Sequence, residues 1–380
     1  MGGSKFFTFH YSLLPFFITF ANKNGKNYEN SPVLRKQVRR RHSPPLQAEA
    51  DKTEGNEVLW YVHQPKIPDF PLKDSVRWTH SMQETYDFHP DAVFAPGNIV
   101  PCYLSGVKCS IFHGYAAEKR DQFHIRHYFD IYMTQGPYFT QEFQKLQQRY
   151  GDFEVLETGW TRQDWISRHR HDFDDERRRL LSEHGSQRIV LYAPTFSPRL
   201  TSLPHIKDAL TELVAQRHVL LLIKLHPLTR QEWVDEYRQL ADANPHIIFE
   251  DDYAVSKYML MADAMVSDTS STIYEMLLLD KPVITLNTVS QSPYWKDISD
   301  ATQLLTAYDE VFSSPQLDAL RQWIITHYDP YTDGKCAQRM LDGAADYILR
   351  HGVPPPRRRL NLWRKYTSIK TFGRPRRKTE

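Results

Sequence analysis

A turn rich in hydroxyl groups, at residues 267–271, has the composition of a phosphate-binding loop. Its polar members include Ser267, Asp268, Ser270 and Ser271. The apolar pattern predicts a buried strand before this turn and an amphipathic helix after it, so main-chain N–H groups in the turn lack partners and favour an anion. We predict that the turn binds a donor phosphate and that Glu275, about one helical turn further on, accepts hydrogen bonds from a ribose. The alternative is that Ser270 or Ser271 only caps the helix.

Polar side chains also follow four other predicted strands. They are His113 with Gly114 and Lys119, Arg162 after Gly159, Thr195, and Lys224 with His226. Open α/β sheets bind their ligands at the carboxyl ends of such strands. Because imidazole titrates near neutral pH, His113 is predicted to act as a general base, and His226 and Lys224 to stabilise charge on a pyrophosphate and its leaving group. The alternative for each histidine is a purely structural role.

The elements that must position these residues alternate between strand and helix. In the second half, apolar strand patterns occur at residues 189–192, 218–225, 247–249, 264–266 and 283–286. Strands of this kind are buried on both faces and are joined by helices, which favours a parallel sheet in a doubly wound α/β domain. Residues 57–159 also carry repeated strand and turn patterns. We therefore predict two Rossmann-like domains that face each other across a cleft.

A charge-dense segment at residues 168–183 marks the predicted boundary between these domains. The predicted division is an N-terminal segment at 1–56, an acceptor domain at 57–170, a nucleotide-donor domain at 171–352, and a basic, aromatic tail at 353–380. The apolar run within the N-terminal segment is shorter than the ~20 residues that span a bilayer. We expect it to form a buried first strand or a poorly ordered extension.

The composition is that of a globular protein with about two domains. Of the 380 residues 41% are hydrophobic, and the net charge of +2 gives no chain-wide field for nucleic acid. The three cysteines show no C-x-x-C spacing, so the sequence suggests neither a disulfide framework nor a zinc site and fits a reducing cytoplasm. No firm cofactor is indicated. Whether a divalent cation such as Mg²⁺ takes part stays open, because the sequence contains no convincing metal-ligand spacing.

The residues at 357–378 combine many lysines and arginines with leucine and aromatic side chains. Each basic residue near an anionic leaflet contributes about 1 kcal/mol, and aromatic side chains favour the interface. We predict that the compact part of the chain ends at Pro354–Pro356 and that the tail beyond it docks on the inner face of the cell membrane. A solvated, unbound tail is the alternative, and no nucleic acid partner is expected.

Five motifs occur in a particular order along the chain. They are His113-Gly114 with Lys119, Gly159-x-Thr161-Arg162-x-Asp164, Tyr192-Ala193-Pro194-Thr195, His226-Pro227, and Ser267-Asp268-x-Ser270-Ser271 followed by Lys281-Pro282. Over about residues 91–290 the sequence thereby resembles the CDP-glycerol glycerophosphotransferase family. The resemblance implies the GT-B arrangement and the transfer of glycerol or ribitol phosphate from a CDP-alditol to an acceptor hydroxyl, with release of CMP. It also implies a polymer or lipid-linked acceptor in teichoic acid or capsule synthesis.

Three residues, Thr161, Ser197 and Glu275, depart from the family's usual pattern. The alditol and the acceptor therefore stay open. Two other classes also remain: a GT-B glycosyltransferase or nucleotide-sugar epimerase that uses a UDP- or GDP-sugar, and a non-catalytic nucleotide-binding protein. CMP release would support the transferase. Release of a nucleoside diphosphate from a nucleotide-sugar would support the second class, and nucleotide binding without turnover the third.

Overall fold

The structure, a computed structural model, describes residues 16–22, 44–63, 72–115, 120–251, 255–356 and 360–376. Among them, residues 169–329 form one compact unit, called here the second unit. The described residues before and after this range together form the other, the first unit. The chain therefore leaves the first unit near residue 168 and returns to it near residue 330.

The first unit is built on a seven-stranded sheet in the order β3-β2-β1-β4-β5-β6-β7. Its strands are β1 (Phe16–Asn22), β2 (Asn56–Val62), β3 (Trp78–Thr79), β4 (Ala92–Ala95), β5 (Val107–Ser110), β6 (Ile131–Thr134) and β7 (Glu154–Glu157). β1, the third strand in this order, pairs antiparallel with β2 and β4, and the other neighbours pair in parallel. Ile18 and Thr19 of β1 are buried, which confirms that the first apolar run contributes a buried strand.

The second unit is built on six parallel strands in the order β10-β9-β8-β11-β12-β13. The strands are β8 (Arg188–Tyr192), β9 (Val219–Ile223), β10 (Ile247–Phe249), β11 (Ala264–Ser267), β12 (Val283–Leu286) and β13 (Lys296–Ile298). The chain order reverses between β8 and β11, as in a doubly wound nucleotide-binding sheet. The predicted parallel, doubly wound sheet is confirmed, and β13 is a strand that the sequence analysis did not predict.

Thirteen α-helices occur in the described residues and cover the faces of the two sheets. In chain order they are α1 (Pro45–Ala50), α2 (Met82–Asp87), α3 (Pro137–Tyr150), α4 (Thr161–His169), α5 (Asp174–Glu183), α6 (Leu203–Arg217), α7 (Gln231–Ala243), α8 (Val255–Met261), α9 (Thr272–Leu278), α10 (Leu304–Val311), α11 (Pro315–Tyr328), α12 (Cys336–His351) and α13 (Leu362–Phe372). In α6, Ile206, Leu210 and Leu213 recur at helical spacing and are fully buried in the core of the second unit. This apolar stripe holds α6 against β9.

The helix α12 belongs to the first unit, not to the second as the predicted range 171–352 required. The Asp164 carboxylate accepts the main-chain N–H groups of Cys336 and Ala337 at 2.8 and 2.7 Å, so it caps the N-terminus of α12. Gly159 has a φ of +77°, and a Cβ at this position would lie 2.6 Å from the Cys336 sulfur. The Gly159-to-Asp164 motif therefore joins α12 to the first unit.

The compact part of the chain does not end at the three prolines, because α13 also packs on the first unit. Leu360 and Phe372 are buried in the same apolar cluster as Tyr61 and Phe112. Ser368 is fully buried, and its hydroxyl accepts the Cys102 N–H at 3.0 Å. Much of the predicted basic, aromatic tail is thus a helix that packs on the first unit through the face that carries Ser368 and Phe372.

No helix in the described parts of the chain is both long enough and apolar enough to cross a bilayer.

Candidate functional site

The carboxyl ends of β8 and β11 meet where the strand order of the second unit reverses. In doubly wound sheets ligands bind at this switch point. Thr195 follows β8, and the 267–271 turn begins at the end of β11. The predicted phosphate turn and Thr195 therefore lie side by side at the position where such a sheet binds a nucleotide.

Asp268 holds the two strand-end loops together. Its carboxylate accepts the Thr195 N–H at 2.8 Å, the Ser202 N–H at 2.8 Å and the Ser202 hydroxyl at 3.1 Å. The side chain is fully buried. Burial raises the pKa of Asp268, whereas the hydrogen bonds from Ser202, Thr195 and Thr269 act in the opposite direction. The sequence predicted a direct donor contact, but the structure gives this carboxylate a positioning role because its oxygens are occupied within the protein.

Ser267 is likewise corrected from a donor contact to a positioning residue. Its hydroxyl is buried and donates to the Ala193 carbonyl at 2.7 Å, which ties the end of β11 to the loop after β8. Together with Asp268, it makes the turn part of the sheet rather than a mobile loop. Ser270 and Ser271, later in the turn, are the residues that can contact a ligand.

Ser270 and Ser271 are partly exposed at the open end of the turn. The Ser270 hydroxyl pairs with the Thr272 hydroxyl at 2.8 Å, and Ser271 makes no side-chain cap to α9. Among the described residues, neither Ser270 nor Ser271 has a hydrogen-bond partner for its main-chain N–H. The capping alternative therefore does not account for Ser271, and the turn offers both N–H and hydroxyl donors to an anion.

Lys224 and Glu275 differ from their predicted roles because both are almost fully buried. The Lys224 ammonium donates to the carbonyls of Leu225 and Glu250, at 3.2 and 3.3 Å. Glu275 lies on the inner side of α9, only 3% exposed. A ligand arriving from solvent does not meet either side chain in this arrangement.

His226 lies after β9 and is held in one orientation by two contacts. Its ring stacks on Phe196 with the centroids 4.4 Å apart, and its Nδ1 accepts the Leu228 N–H at 3.1 Å. Because Nδ1 is the acceptor in that bond, the neutral ring carries its proton on Nε2. His226 is therefore prepared to donate a hydrogen bond from Nε2. Phe196, which directly follows Thr195, is a residue that the sequence analysis did not assign to the site.

His113 lies after β5 in the first unit and is held in the opposite tautomer. Its side chain is exposed, and its Nδ1 lies 2.8 Å from the Pro96 carbonyl oxygen. A carbonyl only accepts, so Nδ1 carries the proton and Nε2 keeps its lone pair. Phe112 has a φ of +53°, which turns the chain sharply just before His113. The structure thus gives His113 the free basic nitrogen that the predicted role requires.

The space beside Gly114 is open, since a Cβ there would have no atom within 4 Å. The Gly114 carbonyl accepts a hydrogen bond from the Gln135 side chain at 2.8 Å. Gln135 is fully buried at the end of β6, and its Oε1 has no partner among the described residues. The sequence analysis did not assign Gln135 to the site.

Of the other two predicted residues of the first unit, only Arg162 lies within the described residues, and it is buried. Arg162 is only 3% exposed in the first turn of α4. Lys119 lies outside the described residues. In the described parts of the chain, no group of three or more His, Cys, Asp or Glu side chains is arranged to hold a metal ion.

Residues 112–296 match the family model of CDP-glycerol:poly(glycerophosphate) glycerophosphotransferase. Two curated relatives are teichoic acid glycerol-phosphate primases, from Bacillus spizizenii at 33% identity over 103 residues and from Bacillus subtilis at 29% over 101 residues. Each match covers 26% of this chain and 25% of the relative, so the alignment spans about a quarter of either protein. The predicted family resemblance is confirmed.

Solved structures of similar fold include a variant of the wall teichoic acid polymerase soaked with CDPG. It has a TM-score of 0.52 at 15% identity, over 76% of this chain and 83% of that one. Another is the UDP-GlcNAc 2-epimerase from Neisseria meningitidis bound to UDP-GlcNAc, with a TM-score of 0.53 at 13% identity, over 82% and 98%. At this identity the similarity shows the fold alone. The predicted GT-B-type fold with Rossmann-like units is confirmed.

Proposed function

We propose that the protein transfers glycerol phosphate, or a related alditol phosphate, from a CDP-alditol to an acceptor hydroxyl, because residues 112–296 match the family model of CDP-glycerol:poly(glycerophosphate) glycerophosphotransferase. The observation that carries this proposal is the open turn at the switch point of the second unit, where Ser270 and Ser271 offer main-chain N–H donors to an anion. His226 of the same unit presents an N–H donor, and His113, in the first unit, presents a basic nitrogen. A donor and a base are the groups that a phosphoryl displacement requires.

In the proposed reaction the acceptor oxygen attacks the β-phosphorus of the donor. Its proton passes to Nε2 of His113, the new P–O bond forms, and the bond from that phosphorus to the oxygen of CMP breaks. The negative charge left on CMP and on the transferred phosphate is stabilised by hydrogen bonds. We assign these to Nε2–H of His226 and to the donors of Ser270 and Ser271. Most catalysis of phosphoryl transfer is positioning and electrostatic stabilisation of this kind.

The nucleotide released from a defined donor tests the proposed function. The purified protein is incubated with CDP-glycerol, CDP-ribitol or UDP-GlcNAc and a synthetic glycerol-phosphate oligomer as acceptor, and the nucleotide products are separated. We expect CMP from a CDP-alditol, together with a lengthened oligomer. UDP from the nucleotide-sugar would contradict the proposal in favour of a glycosyltransferase or an epimerase, and binding without any product would favour a non-catalytic role.

The double variant Ser270→Ala, Ser271→Ala is expected to bind CDP-glycerol roughly 30-fold more weakly than wild type. The change removes two hydroxyl donors, each of which contributes about 1 kcal/mol to holding an anion. Isothermal titration calorimetry measures the affinity, and the melting temperature reports whether the fold is intact. Ser182→Ala, at an exposed serine of α5, is the matched control. Equal affinities for the double variant and the control would rule out the assignment of the donor phosphate to this turn.

We also propose that the exposed face of α13 docks on an anionic membrane surface, which would keep the enzyme near an envelope acceptor. Leu362, Trp363 and Tyr366 are 86%, 73% and 55% exposed, and Arg364, Lys365 and Lys370 lie on the same helix. An apolar and aromatic face flanked by cations is typical of helices that lie in the membrane interface. We propose that the activity takes place on the cytoplasmic face of the membrane.

Replacing Trp363 and Tyr366 with serine is expected to lower co-sedimentation with phosphatidylglycerol vesicles about tenfold, because two interfacial aromatic anchors are lost. Deleting the helix is a poorer test, since it would also remove the buried Ser368 and Phe372. Leu349→Ser, at an apolar residue of α12 that is 66% exposed, is the control. Unchanged sedimentation of the double variant would mean that α13 does not bind the membrane.

A further inference from the structure

The segment after α13 is fastened across the first unit by main-chain hydrogen bonds. The Tyr103 hydroxyl donates to the Gly373 carbonyl at 2.7 Å. Gln83 of α2 forms two bonds to the main chain of Arg376, donating to its carbonyl at 3.1 Å and accepting its N–H at 2.7 Å. Because both ends of the segment at residues 373–376 are held, these hydrogen bonds determine its course past the sheet.

This course takes the segment past the carboxyl ends of β2 and β3. The Phe372 ring, which is buried, lies with its centroid 5.8 Å from that of His63, the residue directly after β2. His80 directly follows β3, and its Nδ1 lies 2.5 Å from the Val62 carbonyl oxygen, so the two histidines flank the same strand end. His80 is also three residues before Gln83, to which Arg376 is bonded. The main chain of Arg376 is therefore bonded to the helix that begins just after His80, beside the edge of the sheet where His63 and His80 lie.

The two arginines carry positive charge that the described residues do not neutralise. Both side chains are exposed, and neither forms an ion pair with a described residue. The acids of the neighbouring helix α2 are engaged elsewhere: Glu84 pairs with Arg77 at 3.7 Å, and Asp87 accepts from the Gln83 amide at 3.1 Å. Two exposed guanidinium groups on a segment whose main chain is held in place are suited to bind a phosphate, often through two parallel hydrogen bonds.

We propose that Arg374 and Arg376, with His63 and His80, form a subsite for a phosphodiester group of the acceptor. The inference rests on the proposed function and specifies its acceptor as an anionic phosphodiester chain. His113 lies at the same edge of this sheet, after β5, and β5 is three strands from β2. At about 4.8 Å per strand, the separation is roughly 14 Å. An extended phosphodiester chain spans such a distance, so its terminal hydroxyl reaches His113 while an earlier phosphate binds the arginines.

The subsite is tested with a fluorescently labelled, synthetic glycerol-phosphate trimer and the full-length protein in the absence of lipid. Fluorescence anisotropy measures binding to wild type, to Arg374→Gln, Arg376→Gln and to the control Lys365→Gln, Lys370→Gln, which removes the same charge from α13. We expect at least about tenfold weaker binding for the arginine variant, since two charge-assisted contacts are lost, and little change for the lysine variant. Equal melting temperatures establish that both variants are folded.

Two further measurements separate the outcomes. Equal loss of trimer affinity in both variants, unchanged affinity in the arginine variant, or no trimer binding by wild type would each overturn the subsite. If the arginine variant keeps the trimer but loses co-sedimentation with phosphatidylglycerol vesicles, the two arginines belong to a membrane surface instead, and the proposal is also overturned. CMP release is measured in parallel with CDP-glycerol. Arginine-dependent trimer binding without CMP release would leave the subsite standing and contradict the proposed transferase activity.

Discussion

Replacing His113 with alanine is expected to lower glycerol phosphate transfer by about 10²-fold or more while CDP-glycerol binding is nearly unchanged. The expected loss is the usual contribution of a positioned general base. Nε2 of His113 is the nitrogen left available when Nδ1 is bound to the Pro96 carbonyl. The side chain is exposed, so its removal leaves no cavity in the core, and the fold is expected to be retained. Single-turnover rates at saturating donor measure the chemical step, and calorimetry measures donor affinity.

His124→Ala is the matched control, because His124 is also an exposed histidine of the first unit. This variant is expected to turn over like wild type. If His113→Ala instead lost stability, donor binding and turnover together, its role would be structural. If it kept full turnover, another group would be the base.

Replacing His226 with alanine is expected to lower kcat by about 10²-fold or more, the scale found when one preorganised donor to a developing negative charge is removed. The Leu228 N–H and the Phe196 ring fix the imidazole so that Nε2–H is the donor. Preorganisation of this kind stabilises the transition state more than the bound substrate, so we expect the affinity for CDP-glycerol to change less than kcat.

The conservative variant His226→Gln distinguishes this role from a structural one, since the amide of glutamine also carries an N–H donor. It is expected to recover part of the lost rate. Phe196→Leu, which removes the stacked ring and leaves the donor in place, is expected to cost less than His226→Ala. If His226→Ala and His226→Gln lowered kcat equally and both variants were less stable than wild type, His226 would have a purely structural role.

The strands of the second unit were predictable because each is a short, nearly continuous apolar run. β10 and β12 occupy the residues predicted for them, 247–249 and 283–286. β13 was missed because Lys296 and Asp297 interrupt its apolar pattern. The return of α12 to the first unit was also missed. It depends on long-range contacts, such as the cap that Asp164 provides, which local periodicity does not contain.

Within the candidate site, the sequence located the strand ends but not the direction of each side chain. Ser267 and Asp268 stand in a motif with Ser270 and Ser271, yet the first two are buried and the last two are partly exposed. The difference arises from hydrogen bonds to the loop after β8, which is distant in sequence. The tautomers of His113 and His226 could not be predicted from the sequence either, because each depends on a hydrogen bond to one main-chain group.

The division of the first unit between two parts of the chain has a consequence for synthesis. Residues 169–329 contain every strand of their own sheet, so they can reach the native state as soon as the ribosome has released them. The first unit cannot complete its fold until Cys336, Leu360 and Phe372 have been synthesised. Cys336 is needed for the cap of α12, and Leu360 and Phe372 belong to the apolar cluster. The usual N-to-C order of domain folding is therefore expected to be reversed in this protein. During that interval the apolar surface around Tyr61 and Phe112 is a target for chaperones.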